Sequence, residues 1–150
     1  MAGLREFRIA DVAELTALLR TSDLTLAALD DPRVRLWLLR DGSGALIGST
    51  GFEPSESGDD VIVRSVAVAA GHRGTGLGTR LATHALDEAR AAGATTAWLF
   101  SRRSGPFWQR LGFAPADRDE LVSALATTSQ VRLFAETGQL QREVAWRRTL

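Results

Sequence analysis

At 150 residues the chain is long enough for one domain with its own core. Its 18 basic and 18 acidic residues cancel, so no global field favours nucleic acid or an anionic membrane. With no cysteine there can be no disulfide, thiol nucleophile or thiolate metal site, and His72 and His84 do not stand at a metal-pair spacing. The opening MAGLREFR carries Arg5, Glu6 and Arg8 and no apolar core, so it does not read as a secretion signal. No apolar run reaches membrane-spanning length. These features lead us to expect a cytoplasmic protein of one domain, 1–150, with no bound metal.

Leu4 to Ile9 alternates as a first strand. Asp11 offers an N-cap with Glu14 three residues on, a capping-box pattern, and Val12, Leu15, Leu18 and Leu19 form the apolar stripe of a helix to about Arg20. Leu24 to Leu29 has the makings of a short helical turn, and Asp30-Asp31-Pro32 is a turn. Val34 to Arg40 reads as a strand, and Asp41-Gly42-Ser43-Gly44 closes a hairpin onto Ala45 to Glu53. The polar run from Glu53 to Asp60 leads into a β-branched stretch, Val61 to Val68, with the character of a buried central strand.

That strand breaks at Ala70-Gly71-His72 and enters Arg73-Gly74-Thr75-Gly76-Leu77-Gly78-Thr79. From Leu77 the apolar residues recur with helical spacing at Leu81, Ala82, Ala85, Leu86 and Ala89, and Gly93 ends the run. Strand, glycine turn and helix in that order make an anion cradle. The first N–H groups of a helix lack intrahelical partners, and the helix dipole adds positive charge there. Glycines at 74, 76 and 78 admit a close anion, and Arg73 adds a cation whose fork matches phosphate. The spacing is not that of a P-loop, since Leu77 occupies the lysine slot, nor of a dinucleotide fingerprint, since Thr79 occupies the last glycine slot. What remains is [QR]-x-x-G-x-[GA] at Arg73, Gly76 and Gly78, after an S-V-A-V strand. This resembles the acetyl-CoA motif of the GNAT superfamily of N-acetyltransferases. GPFWQRLGF at 105–113 is similar to the second signature of that superfamily, a short helix ending in LGF.

The resemblance implies an α/β (mixed α+β) fold with a central six- to seven-stranded sheet flanked by helices. Its fourth and fifth strands splay apart to hold the pantetheine arm of the co-substrate acetyl-CoA. The rest of the chain fits that order: a helix 77–92, a fifth strand Thr95 to Ser101, a short helix Ser104 to Leu111 with Ser104 as N-cap, and a sixth strand from Phe113. A helix capped by Asp119 follows, then one capped by Thr128 or Ser129 and running through Phe134, then a last strand Glu143 to Thr149. The inserted helical stretch 119–136 is similar to the arsenic-resistance-associated branch. The superfamily also commonly forms homodimers, with the last strand or this insertion as the interface.

The resemblance implies a transferase moving acetyl to the amine of a small molecule by direct attack in a ternary complex. The rival readings are a non-catalytic acyl-CoA sensor and a protein N-acetyltransferase. It places CoA on Arg73 to Thr79 and on the backbone of Val66, Ala67 and Val68, with Phe107 and Trp108 beside it. Val66 or Ala67 then supplies the N–H for the oxyanion. Glu53, at the end of the third strand, is the candidate base; its other reading is an exposed turn glutamate among Glu56, Asp59 and Asp60. Many members use a tyrosine as acid before LGF, but this chain has none, and Trp108 stands there. Ser104, a water, or departure of the bare thiolate are the alternatives. Leu24, Leu26 and Leu29 lie where the family covers its acceptor, or are core; Leu26 is the substrate contact singled out. Arg64 shares the parity of Val66 and Val68, and a buried cation needs a partner. That partner is Glu53 or an acceptor carboxylate. Arg102 and Arg103 meet phosphates, an anionic acceptor or solvent.

Overall fold

The computed structural model describes residues 3–150. Met1 and Ala2, which open the segment read as lacking a secretion signal, lie outside the described residues. The strands are β1 (Arg5–Glu6), β2 (Arg35–Arg40), β3 (Leu46–Pro54), β4 (Asp60–Val68), β5 (Thr96–Phe100), β6 (Ala114–Ala116) and β7 (Ala145–Thr149). The helices are α1 (Val12–Thr21), α2 (Leu77–Ala91), α3 (Gly105–Arg110), α4 (Arg118–Ala124) and α5 (Ser129–Thr137). One mixed sheet runs in the order β1-β2-β3-β4-β5-β7-β6, with β4 and β5 its parallel pair. Among the described residues no helix is long and apolar enough to cross a membrane.

The β-branched run of β4 puts it at the centre, and helices cover both faces. On one face the small side chains Ala82, Ala85 and Ala89 let α2 pack closely on Val61, Val63, Ala97 and Leu99. On the other, α1 sets Leu15, Leu18 and Leu19 against Leu36, Leu38 and Ala67, while Leu121 of α4, Leu125 just after it and Val131 of α5 cover Ile62 and Trp98. Each fully buried leucine of this kind contributes about 1.5–3 kcal/mol.

Two caps differ from the sequence reading. Asp11 precedes α1 but makes no side-chain cap; its Oδ2 accepts the Arg8 N–H at 2.9 Å, while Oδ1 and the Glu14 carboxylate grip Arg40. The pair therefore ties α1 to β2. The cap of α4 is Asp117, whose Oδ1 accepts the Glu120 N–H at 3.0 Å, and Asp119 falls within the first turn. The first strand is also shorter than its alternation implies, because Ile9 enters a 3-10 turn, Ile9–Asp11, and is exposed.

A bulge in β4 sets the geometry of everything downstream. Ser49 pairs with Ala67 and Gly51 with Arg64, so Thr50 alone faces both Ser65 and Val66. Ser65 takes φ +61°, and its carbonyl accepts the Ser49 hydroxyl at 2.7 Å. The extra residue reverses the alternation of the strand. Val61 and Val63 point toward α2, as do Val66 and Val68, whereas Ile62 and Ala67 pack on the opposite face. Arg64 goes with the second set, not with Val66 and Val68 as unbroken alternation predicts.

Opposite Arg64, Gly51 has no room for a side chain. A Cβ there would press into the Arg35 carbonyl oxygen and lie 2.6 Å from Leu36 Cδ2. Gly51→Ala is therefore expected to lower stability by about 2–3 kcal/mol. An unchanged midpoint in urea would contradict the close approach of β2 and β3.

The parallel pairing of β4 with β5 is short: Asp60 with Thr96, Val61 with Ala97, Ile62 with Trp98. Beyond it β4 continues along β3 to Val68, and β5 continues along β7 to Phe100. The strands part where the bulge begins, which is the splay that the resemblance implies.

Candidate active site

A cavity of about 470 Å³ occupies the gap between the parting strands. At one end stands the cradle. Gly74 and Gly76 adopt φ +79° and +85°, a backbone region that strains other residues, and Gly76 sits at the N-cap of α2, which no side chain caps. The leading N–H groups of α2, at Leu77, Gly78 and Thr79, are therefore left for a ligand. Arg73 donates from Nε to the Val68 carbonyl at 3.1 Å, which holds its guanidinium beside the turn. Arg73 and Gly78 line the same cavity as Val66 and Val68, so the cradle opens into it. A Cβ at Gly78 would stand 3.4 Å from the Phe107 ring, so glycine lets α2 and α3 meet there. The Leu77 side chain is buried in the core, so only its backbone can serve a ligand.

Phe107 and Trp108 also line the cavity, with rings edge to face at 4.9 Å. Ser104 occupies the N-cap position of α3 but makes no side-chain cap, and it too is on the wall. At the mouth, Leu24 and Thr25 face the cavity, while Leu26 and Leu29 turn toward the α1 core. Leu26 therefore stands with the core and Leu24 takes the wall position. Arg103 Nη2 lies 2.6 Å from Asp23 Oδ2, linking the β5–α3 turn to the segment after α1. Arg102 Nε lies 3.3 Å from the buried Glu143 carboxylate. Both arginines at this mouth thus already have acidic partners.

At and behind the far wall stand the buried Arg64 and Glu53. Glu53 is 3 % exposed, so it is no solvated turn residue. Its Oε2 accepts the Ser129 hydroxyl at 2.6 Å and the Ser129 N–H at 3.1 Å, and its Oε1 accepts the same two groups. This carboxylate caps α5 across 76 residues of sequence, and it is not among the residues lining the cavity. Arg64, also 3 % exposed, does line the cavity. Its Nε donates to Ser65 Oγ at 3.2 Å and its Nη1 to Ser129 Oγ at 3.4 Å, but Nη2 has no partner among the described residues. Burial lowers its pKa to about 10, with the Glu53 charge opposing the shift, so it stays charged at neutral pH.

Gln130 is the wall residue that sequence reasoning missed. It is 7 % exposed, lines the cavity with Phe134 one turn on, and among the described residues its Oε1 has no hydrogen-bond partner. The signal was available: Gln130 and Phe134 are i and i+4 on α5, so the glutamine shares the phenylalanine's inward face. Neither histidine lines the cavity; His84 stands edge-on to Trp37 at 5.0 Å. Among the described residues no group of three His, Cys, Asp or Glu side chains could hold a metal ion.

A mixed sheet whose parallel pair parts over a glycine cradle is the GNAT architecture. Residues 5–113 match the Acetyltransferase (GNAT) family, and the chain belongs to that family. Among solved structures, it is similar to N-acetylglutamate synthase from Neisseria gonorrhoeae, complexed with coenzyme A and N-acetyl-glutamate. The TM-score is 0.77 at 20% identity, over 99% of this chain and 35% of that one. The chain thus spans about a third of that enzyme's length. It is also similar to a Mycobacterium tuberculosis protein in complex with CoA, with TM-score 0.77 and 18% identity over 99% of each chain. An aminoglycoside 6'-N-acetyltransferase complexed with coenzyme A gives TM-score 0.71 and 14% identity over 99% of this chain and 97% of that one. At such identities the likeness is one of fold. No curated protein matches the chain.

Proposed function

We propose that this chain is an acetyl-CoA-dependent N-acetyltransferase, acting in the cytoplasm on the amine of a small molecule within a ternary complex. The observation that carries the reading is that the cradle and the buried Arg64–Gln130 wall belong to one cavity, so both reactants fit between the parted strands. Relatives of the same fold crystallised with coenzyme A support it. The Asp23–Arg103 pair across the mouth favours a small acceptor over a protein segment.

In this reading the N–H groups of Leu77 to Thr79 and the Arg73 guanidinium hold the diphosphate. The amine nitrogen attacks the thioester carbonyl carbon, an N–C bond forms, the C–S bond breaks, and the nitrogen gives up a proton to solvent as the thiolate departs. Holding both groups in line supplies much of the acceleration. In this reading the N–H of Val66, beside the bulge, donates to the developing oxyanion, a donor of a kind worth about 10²–10³-fold elsewhere. Ala67 pairs with Ser49 in the ladder whose next bond is Ala69 N–H to the Ile47 carbonyl, so its N–H faces β3. Ser104 offers its hydroxyl to the departing sulfur. A thiol with a pKa near about 8.5 leaves readily unprotonated. Ser104→Ala should therefore lower kcat by no more than about tenfold; steady-state kinetics at pH 8 will read this, and a far larger loss would make Ser104 an obligatory acid.

The activity itself is tested by free-thiol release from acetyl-CoA across a broad panel of amines, beside calorimetry with CoA. Release with at least one amine is expected. Tight CoA binding with no release on any amine would replace the enzyme reading with that of a sensor.

A further inference from the structure

We infer that the acceptor amine also carries a carboxylate, and that Arg64 binds that carboxylate inside the cavity. The inference rests on the N-acetyltransferase reading above and names its substrate class. A buried guanidinium is stable only if its N–H groups are met. Nε and Nη1 of Arg64 are engaged by Ser65 and Ser129, so Nη2 is the nitrogen left for a ligand. Glu53, the carboxylate whose field acts on Arg64, has both oxygens committed to Ser129. On the same wall the buried Oε1 of Gln130 is an acceptor with no donor among the described residues. A buried donor and a buried acceptor, both without a partner among the described residues and both on residues that line one cavity, fit a ligand with the opposite pair, an anion and an N–H group. An amino acid or a close anionic analogue carries both.

Charge balance points the same way. Arg102 and Arg103 are matched by Glu143 and Asp23, and Arg73 belongs to the cradle end. Arg64 feels the Glu53 charge through Ser129 but has no carboxylate in direct contact among the described residues, so of these arginines it is the one on the acceptor side with room for a carboxylate partner. A simple alkylamine is a cation at neutral pH and would be repelled by it; a carboxylate on the same molecule turns that repulsion into attraction. The apolar part of the acceptor would lie against Leu24, Phe100 and Phe134.

The test compares L-glutamate, L-methionine and L-leucine, each beside its α-amide and its decarboxylated amine, on the wild-type protein with acetyl-CoA. We expect kcat/KM to favour the acid over both neutral partners by roughly 10–100-fold, the range of a charge-assisted hydrogen bond. Arg64→Gln should erase that ratio while CoA affinity stays within about threefold, and Gln130→Leu should raise the acceptor KM by about tenfold. Should Arg64→Gln fail to fold, the wild-type ratio still decides. Equal rates with acids and decarboxylated amines would overturn the inference and leave the acetyltransferase reading standing. Should no amine of either kind release thiol, that reading falls, and calorimetry of the amino acids onto the CoA-loaded protein decides instead. Binding that Arg64→Gln abolishes would keep the carboxylate site, and no heat with any of the acids would remove it.

Discussion

Gly76→Asp is expected to weaken coenzyme A binding by roughly two orders of magnitude, whereas Gly76→Asn should weaken it less than about tenfold. Gly76 sits at φ +85° and ψ −1°, which asparagine and aspartate tolerate better than other side chains. A Cβ there meets nothing within 4 Å, so neither substitution disturbs packing. The two variants share a shape and differ by one charge placed where the helix dipole and the unpaired N–H groups of α2 would hold an anion. A diphosphate brings at least two negative charges to within several ångströms of that carboxylate. At about 5 Å and an effective dielectric of about 40, each repels it by about 1.7 kcal/mol. The gap between the variants should narrow as salt rises. Titration calorimetry at two ionic strengths reads all of this, and identical affinities for the two variants would mean the diphosphate lies elsewhere.

That cradle was legible in the sequence because its signals are local: glycines at fixed offsets, a β-branched run before them and a 3.6-residue period after them. The β2-β3-β4-β5 part of the sheet order was legible too, from a hairpin and the α2 crossover, whereas the position of β7 between β5 and β6 joins segments distant in sequence and was not. What escaped depends on contacts distant in sequence or on backbone that residue type does not announce. Ser65 in the left-handed region has no signature, yet it alone reverses the side to which Arg64 points. The sequence reading put the cap at Asp119, and the extended backbone of Asp117 moves it two residues earlier. Leu24 and Leu26 differ by two positions in a segment without regular structure, so periodicity cannot say which meets the cavity. Glu53 offered two roles, base or solvated turn; its partner Ser129 is 76 residues away, and no local pattern joins them.

That partnership frames the second large effect, which falls on Glu53→Gln. The variant should lose about 2–4 kcal/mol of stability, or roughly 5–15 °C in Tm for a domain of this size. A carboxylate accepts the Ser129 N–H and hydroxyl with both oxygens, whereas an amide presents a donor on one side. There Ser129 Oγ already accepts from Arg64. The helix loses the negative charge at its N-terminus, and Arg64 loses the opposing field that offsets its burial. Because α5 carries Gln130 and Phe134 to the cavity wall, loosening its start should raise the acceptor KM by about tenfold or more. CoA affinity and the shape of the pH–rate profile should stay as they were. A general base would behave differently, with kcat falling by about 10²–10⁴-fold at nearly constant KM and Tm, and the acidic limb of the profile disappearing. Glu53→Asp separates the two roles further. It keeps the charge but retracts it by one methylene, so a cap that reaches α5 through the cavity wall should recover part of the stability and part of the KM, since Ser129 can still approach an anion. A base displaced by the same distance from its substrate would recover little of kcat, and that pattern would return Glu53 to the chemistry.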